Sequence, residues 1–352
     1  MIYTNEYLQK LDQILGDENK FKKITRDPTE PLKKKINDLV DKVNAVYDHT
    51  KLPKLFGDYR LGYCYGNVKT HKPGNKLRPI ISQIPTPTYQ IAKKLNEILT
   101  PYTPIAYSVN SPTSFLDLLA NDNSMGPIAS LDVESLFTNV PVDRTIQYIL
   151  NRVYHNEDTP KCDIPEQIMK ELLECCTKEA PFTCPRGNKY CQIDGVAMGS
   201  PLGVLFANFF MGSIEEETFR NHPKPLIYCR YIDDIFVKAE DSDQIENLRQ
   251  LLMEASGLNF TIEHSDNGSL PFLDVLVKER QDGKFNTTVY VKDTNPGHCL
   301  NGISECPPRY KETTIGAYIR RALTHCNEWQ SVHKEMERAT QILINNVLPI
   351  KM

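Results

Sequence analysis

The sequence predicts a mixed α+β fold, because helical and strand-like segments interleave without the regular βαβ alternation of a doubly wound sheet. Two further observations point the same way. The first fifty residues carry apolar positions at helical spacing, and residues 51–87 then turn rich in Gly, Pro and aromatics around short β-prone runs. Taken in order, LQKLDQILGD is helix-periodic, and PLKKKINDLVDKVNAVYDHT starts at Pro31 with Leu32, Ile36, Leu39, Val43 and Val46 on one face. LGYCYG and LRPIIS are strands separated by the turn HKPGNK, and TPTYQIAKKLNEILTPY is a helix ending at Pro101.

Further along, GPIASLDV is a short apolar run after a Gly-Pro breaker, a buried strand by pattern. VDRTIQYILNRVY and PEQIMKELLECC are helices, the second placing Cys175 and Cys176 in the core. SPLGVLFANFFMGSIEEETFR has the length of a helix with a nearly continuous apolar first half, and Glu215, Glu216 and Glu217 read as a solvated run near its end. LIYCRYIDDIFVKA is a hairpin around Tyr231 to Asp234. DQIENLRQLLMEAS is a helix, LNFTIEH a strand, FLDVLVKERQDGKFNTTVYVK a second hairpin turning at QDGK, and the last fifty residues return to helix. No fixed-period repeat interrupts this layout.

No stretch approaches the ~18 apolar residues that would span a bilayer. The start, MIYTNEYLQKLDQ, lacks the cationic-then-apolar layout of a secretory signal. An intracellular protein of the nucleus or cytoplasm is expected, without a membrane partner, and its ten cysteines are expected as reduced thiols. His298, Cys299, Cys306, His325 and Cys326 include no C-x2-C pair, so ordinary thiols are expected there rather than a zinc cluster.

The net charge of -4 hides an asymmetry. Residues 20–96 hold 17 Lys/Arg against 6 Asp/Glu, or +11, whereas residues 97–299 hold 16 against 30, or -14. Several of the cations lie between Tyr63 and Arg78 beside Gly, Pro and aromatic residues rather than along a polar helix face, a pattern suited to phosphate contact.

Asp233 and Asp234 sit at the centre of the apolar hairpin YCRYIDDIFVKA. Two unpaired carboxylates in such a place repel each other and lose hydration, and a divalent cation compensates both costs. Asp132 ends the apolar strand GPIASL and has the same character. Two strands lying side by side would bring these acids together, where two Mg²⁺ ions ~3.5–4 Å apart could share them for in-line displacement.

With those residues in view, the motifs carry a resemblance. SLDVESLF resembles motif A of reverse transcriptases, AMGSPLGVLFANFF motif B and YIDD motif C, in the family's order. YGNVKTHKPGNKLRPIIS is similar to the fingers signature of Penelope-like retroelements, usually written YGLPKIHK followed by RPI. PFLDVLV and PGHCLNGISECPPRYKETTIGAYIRRA resemble the later palm and thumb of that group. The likeness runs from about Phe21 to past Trp329. Asn67 and Thr70 are polar departures from the fingers pattern, and Met198 stands where many reverse transcriptases have Gln.

The resemblance implies a right-hand polymerase fold with an antiparallel palm sheet backed by helices. Its parts would be an N-terminal helical segment at 1–19, fingers at 20–105, palm with motif A at 106–141, a fingers insertion at 142–190, palm with motifs B, C and D and the following hairpin at 191–280, and thumb at 281–352. It implies an RNA-directed DNA polymerase that extends a primer on an RNA template with dNTPs. Asp132, Asp233 and Asp234 would be catalytic and, with the Val133 backbone, would hold two Mg²⁺ ions, with Mn²⁺ as the alternative metal. Arg78, Lys72 and Lys76 would grip the triphosphate. Phe137 would exclude a 2′-hydroxyl, Met198 and Gly199 would line the nucleotide, and Ser200-Pro201 would open the helix behind them. Lys69, His71, Ser200, Pro201, Tyr231, Phe272 and Leu273 would meet template and primer. No GIY-YIG pattern is visible, so an endonuclease-lacking copy or a fragment is expected. The rival readings are an RNA-dependent RNA polymerase and a host-adopted, inactive RNA-binding remnant.

Overall fold

Hydrophobic period decides which segments coil and which extend. The computed structural model describes residues 3–46, 51–68, 74–157 and 159–348. Along the chain run α1 (Thr4–Leu15), β1 (Phe21–Ile24), α2 (Thr29–Asn44), β2 (Gly62–Val68), β3 (Leu77–Ser82) and α3 (Thr88–Leu99). Next come α4 (Pro112–Ala120), β4 (Ile128–Val133), α5 (Leu136–Asn139), α6 (Val142–Tyr154) and α7 (Glu166–Thr177). Then follow β5 (Pro181–Thr183), β6 (Lys189–Gln192), α8 (Gly203–Asn221), β7 (Ile227–Tyr231) and β8 (Asp234–Lys238). The chain closes with α9 (Ser242–Ser256), β9 (Phe260–His264), β10 (Ser269–Phe272), β11 (Val275–Glu279), β12 (Phe285–Val289), α10 (Pro308–His325) and α11 (Trp329–Asn345). Among the described residues no helix is long and apolar enough to cross a membrane.

The chain divides into two compact units, residues 1–106 with 134–218, and residues 107–133 with 219–352. The first is built on a five-stranded sheet in the order β1-β6-β5-β2-β3, antiparallel except for the short β2–β5 pair. Leu11 and Leu15 of α1 pack on that sheet with Phe21, Cys64, Ile81 and Phe182. α1 also reaches β2 by a polar contact, because the Gly66 N–H donates to Tyr7 Oη at 2.7 Å. Cys175 and Cys176 are buried on α7, and burial pushes the Cys175 thiol up to about 12, which keeps it protonated.

The second unit holds a four-stranded antiparallel sheet, β7-β8-β4-β9, and a three-stranded one, β10-β11-β12. Phe115 and Leu119 of α4 join Ile128, Ile227, Cys229 and Phe236 with Leu270, Phe272 and Val275 in one apolar cluster. The rings of Phe115, Phe236 and Phe272 lie with centroids 4.7 to 5.6 Å apart, a tilted aromatic trio that ties the two sheets of this unit together.

Candidate active site

β4 is hydrogen-bonded on both edges, to β8 and to β9, so it is an interior strand, and its Ile128, Ala129, Leu131 and Val133 are buried. Among those apolar neighbours the half-buried Asp132 is conspicuous. In the β4–β8 register Asp132 lies opposite Asp234, and in the β4–β9 register it lies opposite Thr261. Directly opposed antiparallel residues have Cα atoms roughly 4.5–5.5 Å apart, so two carboxylates share one stretch of the sheet. β7 and β8 form the expected hairpin, with Tyr231 paired to Asp234 and only Ile232 and Asp233 between them. So tight a connection needs an unusual backbone, and Ile232 takes φ +58. Asp233 is tied to the same place, because the Val133 N–H donates to its carbonyl at 3.1 Å.

The electrostatics match that crowding. The Asp234 carboxyl is reached by solvent at the rim, yet it is pushed up to about 6, first by desolvation and then by repulsion from Asp233 and Asp132, with Lys292 acting in the opposite sense. Hard carboxylate oxygens at one end of these strands suit a hard divalent cation. Among the described residues no three His, Cys, Asp or Glu side chains converge closely enough to clasp a metal ion outright. The backbone register supplies the placement, and a bound cation would have to draw the carboxylates inward from it.

The remaining residues of the second unit sit as follows. Tyr231 is half-buried at the end of β7, and Phe272 is 4% exposed within the aromatic trio. Leu273 follows it half-buried with φ +48.

In the first unit, Arg78 is exposed on β3, opposite Asn67 of β2, and Lys76 is exposed just before it. Lys69, Thr70, His71 and Lys72 lie outside the described residues. Phe137 is half-buried on α5, and its carbonyl accepts the Val196 N–H at 2.7 Å, which ties the end of motif A to the segment leading into motif B. The Met198 carbonyl accepts the Ile81 N–H at 2.9 Å, so the motif B loop is hydrogen-bonded to the strand that carries Arg78. Gly199 has φ +116, and a Cβ there would lie 2.6 Å from the Ile81 carbonyl oxygen. Its first role is close approach of backbone to backbone.

Two expectations are corrected. Ser200 and Pro201 do not open the helix; they form a turn in which the Gly203 N–H donates to the Ser200 carbonyl at 3.0 Å, and α8 starts at Gly203. The Glu215–Glu217 run is not uniformly solvated. Glu215 is 1% exposed, and Glu216 accepts from Tyr148 Oη at 2.6 Å and from Arg152 Nη1 at 3.0 Å. Glu217 is exposed and pairs with Arg144 at 3.2 Å. α8 buries residues on nearly all its faces, and Glu216 and Glu217 turn toward the cations and hydroxyl of α6.

Sequence reasoning passed over two buried cations, Arg230 on β7 and Lys238 on β8, both 0% exposed. Arg230 stands within the apolar run of β7 and Lys238 at the end of that of β8, which is the one hint the sequence carries.

Residues 70–264 match the family described as reverse transcriptase (RNA-dependent DNA polymerase), and residues 298–352 match the animal helix-turn-helix domain. No curated protein matches the chain. Among solved structures, the telomerase of Candida albicans in complex with a TWJ fragment of telomeric RNA is similar with a TM-score of 0.61 at 11% identity, over 97% of this chain and 58% of that one. The apo telomerase of Candida tropicalis is similar with a TM-score of 0.55 at 10% identity, over 97% and 61%. The chain spans about three-fifths of the length of these telomerases. At such identity the likeness is one of fold, and the fold is the right-hand polymerase. Since the matched segment covers more than half of the sequence and contains β4, β7 and β8 with all three aspartates, the chain belongs to the reverse transcriptase family.

Proposed function

We propose that this chain is the RNA-directed DNA polymerase of a Penelope-like retroelement, which extends a primer 3′ end with dNTPs on an RNA template in the presence of Mg²⁺. The observation that carries the reading is the register of β4 on β8, with Asp132 opposite Asp234 and Asp233 bonded to the Val133 amide. Asp132, Asp233, Asp234 and the Val133 carbonyl would hold two divalent ions. Bound there, such ions supply Lewis-acid activation of the primer hydroxyl and neutralise the triphosphate. Arg78, Lys76 and Lys72 bind the phosphates, and Phe137 stands against a 2′-hydroxyl. Met198 and Gly199 shape the nucleotide side, while Ser200, Pro201, Tyr231, Leu273, Lys69 and His71 meet template and primer. β4 with β7 and β8 is the palm, the basic segment with β2 and β3 belongs to the fingers, and α10 and α11 to the thumb.

The subtype rests on the fingers signature and on the helix-turn-helix match, which overlaps the segment resembling the Penelope-like thumb. The likeness to a telomerase solved with RNA supports an RNA partner. Purified protein given a primed RNA template, dNTPs and Mg²⁺ should extend the primer, and Asp233→Asn should lower the rate by roughly three orders of magnitude. Template binding without extension, or a preference for rNTPs, would defeat the proposal.

A further inference from the structure

Arg230 lies two residues before the turn that carries Asp233, and its side chain is 0% exposed. Arginine is almost never fully buried unless its guanidinium is engaged. Here Nη1 donates to the Ile232 carbonyl at 3.1 Å, and Nη2 donates to Ser108 Oγ at 3.2 Å. The backbone at this position is fixed as well. The Arg230 N–H donates to the Tyr107 carbonyl at 2.8 Å, and its own carbonyl accepts the Val109 N–H at 2.9 Å, so residues 107–109 run beside β7 and bring Ser108 with them.

The carbonyl that Arg230 holds is a particular one. Ile232 is β-branched and has φ +58, a conformation that such residues rarely adopt and that neighbouring structure must impose. Its carbonyl belongs to the peptide plane between Ile232 and Asp233, so the guanidinium sets the tilt from which the Asp233 side chain departs. The next plane is held from the opposite strand, by the Val133 N–H on the Asp233 carbonyl at 3.1 Å. Asp233 is therefore gripped on both of its peptide planes, one bond coming from an ionised donor and the other from the residue after Asp132. A hydrogen bond from an ionised donor is roughly twice as strong as a neutral one, which suits it to holding a strained turn.

We propose that Arg230 is a positioning residue for the polymerase reaction. It orients the Ile232–Asp233 peptide so that the Asp233 carboxylate presents itself beside Asp132 and Asp234, and Ser108 in turn steers the guanidinium. The inference rests on the carboxylate site proposed above. A purely packing role for Arg230 predicts lost stability alone, whereas positioning predicts weaker cation binding in protein that is still folded.

The test uses the full chain as wild type, Ser108→Ala and Arg230→Lys. Ser108→Ala keeps the guanidinium and changes a half-buried hydroxyl, so it remains informative even if Arg230→Lys does not fold. Mn²⁺ binding is measured by electron paramagnetic resonance without nucleic acid, alongside thermal midpoint, primer–template affinity and single-turnover extension. Removing a partner that orients a metal ligand typically weakens metal binding or activity about 10- to 100-fold, and a loss near the lower end is expected for Mn²⁺ affinity and for the extension rate in both variants. Primer–template affinity should not change. A wild type that neither binds Mn²⁺ nor extends a primer would remove the carboxylate reading itself. An active wild type whose folded variants bind Mn²⁺ as tightly as it does would overturn the role of Arg230 and leave that reading standing.

Discussion

Strand β8 begins at Asp234 and ends at Lys238, and its two ends treat charge in opposite ways. At the Lys238 end a fully buried ammonium is surrounded by partners. Asp122 Oδ2 lies at 3.0 Å, the Ser124 carbonyl at 2.6 Å, Glu279 Oε1 at 3.4 Å, and the Phe285 ring centroid at 4.5 Å. At the Asp234 end the register sets Asp132 opposite Asp234, with Asp233 beside them in the turn. The contrast separates stability from function within one strand. A buried charge that serves the fold is satisfied by the fold, whereas carboxylates that repel one another in the protein alone are the arrangement that the proposed cation site calls for.

The largest effect is expected at the satisfied end. Desolvation opposes ionisation of Asp122, but hydrogen bonds from Ser124 and Lys238 outweigh it and hold its carboxyl below the usual range. Asp122→Ala would leave Lys238 short of its nearest anion and should destabilise the fold by about 3 kcal/mol, read from denaturant midpoints. A loss below ~1 kcal/mol would mean that Glu279 alone suffices and that this end is less tightly matched than its geometry indicates.

The same end depends on a close backbone approach. Gly126, just before β4, has φ +151, and a Cβ there would lie 1.9 Å from the Ala239 carbonyl oxygen at the exit of β8. Gly126→Ala should destabilise by about 2–3 kcal/mol, less than the loss of Asp122, because backbone can shift where a buried charge cannot be re-solvated. If Gly126→Ala proves the costlier change, strand closure rather than charge pairing secures this end.

What could be read without coordinates follows the strength of local pattern. The YIDD hairpin was legible because Tyr, Ile, Phe and Val flank it on both sides, and β4 because GPIASL is a short, largely apolar run after a Gly-Pro breaker. From these two strands a meeting of Asp132 with the aspartate pair is expected, nearest to Asp233, whereas the register sets Asp132 opposite Asp234. β1 (FKKI), β5 (PFT) and β6 (KYCQ) were not legible, since three or four residues are too few to show a period. Their pairing joins segments far apart in sequence, as when Phe21 faces Gln192. Glu215 was misjudged for a related reason. A run of glutamates looks solvated until the all-round burial of α8 is known, and that burial is a tertiary fact. Arg230 and Lys238 were overlooked because basic residues in strands are usually exposed, and only packing shows that these two are not.

The smallest effect belongs to the open end, where it tests whether Asp234 is as frustrated as its neighbours make it. In the folded protein free of divalent ions its carboxyl has been pushed up to about 6, while in the unfolded chain an aspartate titrates near ~4. Between those values the folded state keeps a proton that the unfolded state has lost. Stability from this group is therefore greatest at low pH, falls as pH rises through the window, and stays reduced above about 6. Asp234→Asn removes both the titration and the repulsion. In chelated buffer the variant should match the wild type near pH 4 and become the more stable of the two as the pH approaches 7, as followed by thermal midpoints. Millimolar Mg²⁺ should narrow the gap by stabilising the wild type alone, because only the intact carboxylate gains from the cation. A difference that does not vary with pH would show that neither desolvation nor repulsion from Asp233 and Asp132 raises the Asp234 carboxyl, and the two ends of β8 would then not differ in how they treat charge.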